Sequence, residues 1–415
     1  MNRLHIFRDT TKIAELIRLR GGRLKLSYVD GLELSSPLVS VNLPTQPKPY
    51  RGDNVAAFFN GLLPEGEARR IIGYDLGIDA NDIFEMLRAI GAECAGALSI
   101  TPEDPPPRQR PPDQTNPILT DDEIAYDLSR LHITPFGGGD EKRISLAGVQ
   151  EKLLLTKTPD GWTRPTSTLA STHLVKRRIS LFPDTIPNEA ACLELARQLG
   201  IRTTDSEICT FGNEQTLVID RFDRHADRDG TIKRTHQEDL CQAIGLNPND
   251  KYQRDREHPS LNDAASVLRD WGEPGELLHL FDQTLLTVLV GNADAHAKNI
   301  SFLHTRPGFV QLAPAYDVMS LTQYDDHTPT LGLRVNGVAD ANAVTLADVI
   351  AEGARWGLPS TVLRDRAAAR IEQVPAALSA AITRANPRQK MIDTIDANYQ
   401  RLARAISIAS TSIDT

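Results

Sequence analysis

The chain is short of cysteine, of basic charge and of long apolar runs, and each shortage excludes something. Four cysteines in 415 residues, Cys94, Cys192, Cys209 and Cys241, never come closer than 17 positions. That spacing excludes a CxxC redox or zinc motif, and a chain of this size needs no disulfide staples. Four reduced, mostly buried thiols are expected. The 46 basic side chains are outnumbered by 55 acidic ones, for a net charge of −9. That balance argues against coating nucleic acid, although a local basic site remains compatible with it. The longest strongly apolar run, Leu285–Val290, is about a third of the length that spans a bilayer. The opening MNRLHIFRD is charged where a signal peptide is apolar. A soluble, cytoplasmic protein that does not engage a membrane is the expectation.

What is present is an ordinary globular mixture, 40% hydrophobic and 24% charged, long enough for two or three domains. The sharpest break in composition is Thr101–Pro117, where seven prolines leave almost no apolar side chain. Such a stretch supports neither helix nor paired strand and reads as an exposed linker. It divides the chain into an α+β module at 1–103, a proline-rich linker at 104–117, a strand-rich segment at 118–222 and a helical segment at 223–415. In the module, Leu24, Leu26 and Tyr28 alternate as in a half-buried strand. Val55, Phe58, Phe59 and Leu62 line a helix that stops before Pro64, and Ile83, Met86, Leu87 and Ile90 line a second helix after Asp79. Further on, 152–157, 172–176 and 217–222 read as strands, and 188–199 as a helix closed by Gly200. Ile392, Ile395, Tyr399, Leu402 and Ile406 mark a final core-facing helix.

The densest polar cluster is Gly291-Asn-Ala-Asp-Ala-His-Ala-Lys-Asn299, set directly after Leu285–Val290. Alanine spacers let Asn292, Asp294, His296 and Lys298 converge without bulk, a pattern of acid–base or metal chemistry. Ser301–Leu303 and Phe309–Leu312 form a predicted hairpin that returns Asp317 towards Asn299. One carboxylate and one amide oxygen hold magnesium when phosphates and waters complete its shell. Asp294 then orients or deprotonates an attacking hydroxyl. An Asp, an Asn five residues on and a metal Asp after a hairpin follow the logic of a kinase site.

A kinase also needs a loop over the phosphates and a cation on them. Ser145-Leu-Ala-Gly-Val-Gln-Glu-Lys152 precedes a strand and offers a glycine for close backbone approach. Lys176 ends the strand THLVK, and Glu189, opening the next helix, is its natural ionic partner. Taken singly, Lys176 also reads as one member of a solvated Lys-Arg-Arg run and Glu189 as a helix-dipole glutamate.

These residues give the chain a resemblance to the HipA-type serine/threonine kinases, the toxins of bacterial toxin–antitoxin pairs. The similar segments are FFNGLLPEG (58–66), IGAECAGALSI (90–100), RISLAGVQEKLLL (143–155), THLVK (172–176), NEAACLELARQLGI (188–201), DRFDR (220–224), HQEDLCQAIG (236–245), GNADAHAKN (291–299) and LAPAYDVMS (312–320). The resemblance implies a protein-kinase-like two-lobed fold, the strand-rich small lobe at 118–222 and the helical large lobe at 223–415, preceded by the α+β module. It implies ATP and Mg2+ as cofactors. Asp294 is then the catalytic base, Asn299 and Asp317 the magnesium ligands, and Lys176 a phosphate contact. Ala147, Gly148, Val149, Gln150, Glu151 and Lys152 form the ATP-covering loop. Asp220, Arg221 and Phe222 meet adenine largely through backbone, His296 and Lys298 touch the nucleotide, and Tyr316 lies beside the metal aspartate. Ser145 matches an autophosphorylated serine, and a phosphate there expels the loop from a site full of phosphates.

Also implied are a DNA-binding antitoxin of HipB type, which reaches operator DNA on the chain's behalf, and a translation-related protein substrate. By resemblance that substrate is an aminoacyl-tRNA synthetase such as glutamyl-tRNA synthetase. Residues 177–187 become the substrate-facing loop, where Arg177 and Arg178 either contact the target or stay solvated. Two other readings are a catalytically weak, antitoxin-binding co-repressor and a metal-dependent phosphohydrolase using Asp294, His296 and Asp317. The first leaves an intact set of four catalytic side chains without a purpose. The second lacks ligands for two metals and leaves Lys176 unexplained.

Overall fold

A computed structural model describes residues 2–106, 109–112, 116–135, 151–166, 168–179, 182, 184–254 and 257–411, with side chains up to 404. Ser145, Ala147, Gly148, Val149 and Gln150 lie outside the described residues. The chain forms two compact units. The first holds 1–177, 209–249 and 302–309; the second holds 178–208, 250–301 and 310–415. The architecture is α+β, as expected. Among the described residues no helix is long and apolar enough to cross a membrane.

The first unit begins with a five-stranded sheet in the order Tyr50–Arg51, Leu24–Tyr28, Thr11–Arg18, Arg3–Arg8, Leu98–Thr101. Adjacent strands are antiparallel. Alternation turns Leu4, Ile6, Leu16 and Leu26 to one face, where they meet Val55, Phe58 and Phe59 of helix Asp53–Gly61 and Met86, Leu87 and Ile90 of helix Ile83–Ile90. Each such side chain contributes about 2 kcal/mol by leaving water. Asp82 caps the second helix by accepting from the Glu85 N–H.

A second sheet in the same unit runs Gly161–Thr163, Lys152–Thr158, His173–Arg177, Glu214–Asp220, Ser206–Phe211. Its Leu153, Leu155, Val175 and Val218 pack under Ile124 and Leu128 of helix Asp121–Ser129, which Thr120 and Glu123 cap reciprocally. Strand Glu214–Asp220 was expected to reach Phe222 but stops at Asp220. There the Arg221 N–H donates to Thr172 O and the Arg221 carbonyl accepts from Arg224 N–H, which turns the chain out of the ladder.

The proline-rich segment carries no helix or strand among its described residues from 102 to 117, as its composition dictates. It is nevertheless not wholly exposed. Pro106 and Asn116 are buried, and Arg110 donates from its backbone to Thr168 O and from its guanidinium to Asn116.

The second unit is mainly helical. Helix Glu276–Val290 is apolar on most of its surface yet buries Asp282. Arg366 meets that carboxylate with two bonds of 2.7 Å and Arg370 with one of 3.1 Å, so helix Ser360–Ala385 is keyed to it. Helix Thr185–Gln198 begins three residues before the expected Asn188, because Pro187 falls in the first turn, where its missing N–H costs nothing. In helix Gln389–Thr411 the fully buried seam is Met391, Ile395, Asn398 and Leu402. Ile392 and Tyr399, expected on that seam, are half-buried beside it.

Candidate active site

Helix Glu276–Val290 ends at Gly291 in the left-handed conformation (φ 69°), where any side chain would run into Thr322. The chain then makes the tight loop that ends in the 3-10 turn Ala297–Asn299. Small residues are required here. The Ala293 carbonyl accepts from Gly332 N–H at 2.8 Å, and the Ala297 N–H donates to Lys251 O at 3.0 Å. The His296 N–H donates to Asp294 O at 2.7 Å, and the Asn299 side-chain amide donates to the same oxygen at 3.1 Å. Asn299 thus points its Nδ2 into the loop, which leaves Oδ1 as the atom able to ligate a cation. Asp294 is half-buried, and its Oδ1 accepts from the Tyr252 phenol at 2.7 Å. His296 and Lys298 are buried, 6% and 7% exposed.

The predicted hairpin is present as Ser301–Arg306 and Phe309–Leu312, closed at its base by Ala313 N–H donating to Ser301 O at 2.8 Å. Glu276, buried in the first turn of its helix, accepts from Leu312 N–H at 2.7 Å and from Arg202 at 2.5 Å. The Tyr316 hydroxyl donates to Lys298 O at 2.6 Å and accepts from Ser301 Oγ at 2.6 Å. Lys298 and Tyr316 are therefore joined, and Asp317 follows with a positive φ of 55°. Beyond it, the Asn188 side-chain amide closes a two-bond ring with Ser320, accepting from its N–H at 2.8 Å and donating to its carbonyl at 3.0 Å. The second unit thus gathers Asp294, His296, Lys298, Asn299 and Tyr316 through hydrogen bonds, with Asp317 next in the chain. The oxygen donors Asn299 and Asp317 suit a hard cation whose shell is completed by phosphate and water. Among the described residues no three His, Cys, Asp or Glu side chains converge as a metal cluster.

The first unit carries the other candidates. Lys152 opens its strand rather than ending a loop, and lies directly across the ladder from Lys176. Paired positions share a sheet face, and both lysines are buried, at 8% and 5% exposure. Asp220 is an exposed strand end, 3.0 Å from His173 across the ladder, and Glu151 is exposed. Glu189 belongs to the second unit and is buried inside its helix, the fifth residue rather than the opening one. Arg177 is engaged by Leu128 O and Glu214, and Arg178 is exposed.

The Arg221 side chain is paired inside the first unit. Its guanidinium donates to both Asp223 oxygens at 3.0 and 2.9 Å and to Ser171 Oγ at 2.8 Å. Glu93 lies 3.4 Å from it, and Arg224 reaches Asp223, Gly96 O and Cys94 O. Segments 90–100 and 220–224 are thus locked by buried ion pairs. Asp223 is held far below the usual carboxylate range by Arg221 and Arg224, against the opposing push of burial. Burial lowers Arg224 to about 10. Sequence reasoning missed Tyr252 and Gly332, whose loop contacts lie about forty residues away along the chain and leave no local pattern.

With this geometry in hand, the kinship of the chain is clear. Residues 4–101 match the HipA N-terminal domain family and residues 144–382 the HipA-like C-terminal domain family. The Sinorhizobium fredii protein Y4mE is 34% identical over 358 residues, 84% of this chain and 83% of its own. The serine/threonine-protein kinase toxin HipA of Shewanella oneidensis is 30% identical over 378 residues, 87% and 86% of the two chains. A solved structure of Shewanella oneidensis HipA with HipB and operator DNA superposes with a TM-score of 0.81 at 26% identity, covering 97% of this chain and 96% of that one. The chain belongs to the HipA family of serine/threonine kinase toxins.

Proposed function

We propose that the protein transfers the γ-phosphoryl group of ATP to a serine hydroxyl of a protein, with Asp294 as the base. The observation that carries this reading is the closed loop in which Asn299 bonds back to Asp294 while Tyr316 ties Asp317's neighbourhood to Lys298. In this reading the Asp294 carboxylate takes the serine proton as that oxygen bonds to phosphorus, and the bond from phosphorus to the β,γ-bridging oxygen breaks to release ADP. Asn299 Oδ1 and the Asp317 carboxylate hold Mg2+, which when bound neutralises charge on the phosphates. Lys176 and Lys152 contact phosphate oxygens. Asp220, Arg221 and Phe222 serve the adenine, and the backbone of Arg221 is held in place by Thr172 O and Arg224 N–H.

The relative in the solved complex holds HipB and operator DNA, which supports a HipB-type antitoxin for this chain and DNA contact through it. An aminoacyl-tRNA synthetase, glutamyl-tRNA synthetase first, is the proposed substrate, with growth arrest as the outcome and autophosphorylation at Ser145 as the brake. Incubation with labelled ATP and Mg2+ tests the reading. Wild type carries label, mapped by mass spectrometry to Ser145, whereas Asp294→Asn carries none. Equal labelling of the two proteins sinks it.

A further inference from the structure

We propose that Tyr252 is a positioning residue for phosphoryl transfer: its phenol holds the Asp294 carboxylate so that the second carboxylate oxygen faces the attacking hydroxyl. The proposal rests on the reading of Asp294 as base. Tyr252 Oη donates to Asp294 Oδ1 at 2.7 Å. The phenol O–H is the donor and the carboxylate oxygen the acceptor. One oxygen is thereby fixed in direction, and Oδ2 is the oxygen left to receive the substrate proton.

The phenol is itself held. Its ring stands edge-on to His296, with centroids 5.1 Å apart and planes at 82°. The backbone on both sides is bonded to the layer that contains the loop. Lys251 O accepts from Ala297 N–H at 3.0 Å, Gln253 N–H donates to Gly332 O at 2.8 Å, and Gly332 N–H donates to Ala293 O at 2.8 Å. The Gln253 side chain adds a bond of 2.9 Å from Arg334 N–H. The backbone at Tyr252 therefore cannot shift unless two backbone bonds break, and the contact of its ring with His296 sets the direction of the phenol. A base must lie within hydrogen-bond reach of the proton it takes, and small misplacements are costly. Packing against His296 needs only a ring. The hydroxyl on the carboxylate is what a phenylalanine would lack, and it is the part that bears on chemistry.

The test is Tyr252→Phe, which keeps the ring and removes the hydroxyl. The expected result is a kcat lower by about tenfold to a hundredfold, with KM for ATP, affinity for a fluorescent ATP analogue and thermal midpoint as in wild type. An unchanged kcat overturns the proposal. So does a loss of kcat matched by parallel losses of nucleotide affinity and thermal midpoint, because that is the signature of a packing role. Asp294→Asn, assayed alongside, separates the two layers. Activity in that variant removes the base reading itself, whereas a dead Asp294→Asn beside a fully active Tyr252→Phe removes only the role of Tyr252.

Discussion

Gly332→Ala should disable the enzyme without unfolding it, and the distances say why. Gly332 lies in strand Thr330–Val335 with no unusual φ, so alanine suits its backbone, and on chain-entropy grounds alone the change would stabilise by roughly 0.4–1 kcal/mol. The space decides otherwise. An added Cβ would stand 2.7 Å from Ala295 O and 2.8 Å from both Ala295 C and His296 N. All three atoms are backbone, and ordinary carbon contacts need about 3.5 Å, so something must give by more than half an ångström. Gly332 cannot retreat freely, because its N–H is bonded to Ala293 and its carbonyl to Gln253. The loop carrying Asp294 and Asn299 moves instead. Overpacking of this kind costs about 1–3 kcal/mol in stability, and a shift approaching 1 Å at a reacting group costs up to ~100-fold in rate. Gly337→Ala, in the same ribbon, is the comparator. There φ is +82° and nothing lies within 4 Å of the added carbon, so stability falls by about 1–2 kcal/mol while turnover is unchanged. Turnover at saturating ATP and the urea midpoint, measured for both, give the answer. A Gly332→Ala enzyme with wild-type kcat refutes the reasoning.

Two further outcomes follow from the buried charges. Asp223→Ala strands two buried guanidinium groups, Arg221 and Arg224, and should cost about 3–5 kcal/mol in urea unfolding; a loss under 1 kcal/mol would mean that water reaches the network. The second concerns Glu238, which accepts from His304 at 2.9 Å, from Val41 N–H at 2.9 Å and from the Ser40 hydroxyl at 2.5 Å, while the His236 ring packs tilted against His304 and bonds Val39 O. Burial pushes Glu238 up from 4.5 to about 7 and His304 down from 6.5 to about 3, and also lowers His236. Arg8, near both histidines, lowers them further. Stability held by the two neutral histidines is full above pH 6.5 and fades as pH falls, whereas that held by protonated Glu238 is full below pH 4.5 and fades as pH rises towards 7. Between pH 4.5 and 6.5 the unfolded chain therefore binds two extra protons and the folded chain one, a net slope of about 1.4 kcal/mol per pH unit from this cluster. Glu238→Gln removes the opposing proton, and urea midpoints across that window should fall about twice as steeply with acid; an unchanged slope would show that Glu238 is charged in the fold.

The parts of the site that could be read from sequence are those whose geometry is local. Asp294 and Asn299 share one loop of small spacers, so hydrophobic pattern and spacing were enough to single them out, and the hairpin to Asp317 is a short-range feature too. Lys176 stood out because an apolar strand ends in a charge. The ion-pair network of Arg221 was illegible for the opposite reason. In the sequence Arg221 sits in the charged run DRFDR, but Glu93, one of its partners, is 128 residues away. Nothing local announces a guanidinium that is neutralised inside the protein. The same holds for Tyr252, an ordinary loop tyrosine until its backbone is stitched to the loop that carries Asp294. In the last helix Ile395 and Leu402 face inward as expected, but at two positions the seam lies one residue earlier, on Met391 and Asn398 rather than Ile392 and Tyr399.

Asp317 shows how the remainder of the site is specified. A non-glycine residue with φ 55° occupies a region that costs about 1 kcal/mol or more for most side chains, and it persists only where its surroundings over-determine it. Three tethers do so here. Ala315 forms a parallel bridge with Thr203, Tyr316 reaches Lys298 and Ser301, and Ser320 is clasped by Asn188. Each tether comes from a different stretch of chain, so none can relax without two others resisting. The backbone at Asp317 is therefore set by contacts from Thr203, Lys298, Ser301 and Asn188, and aspartate tolerates this conformation better than most residues.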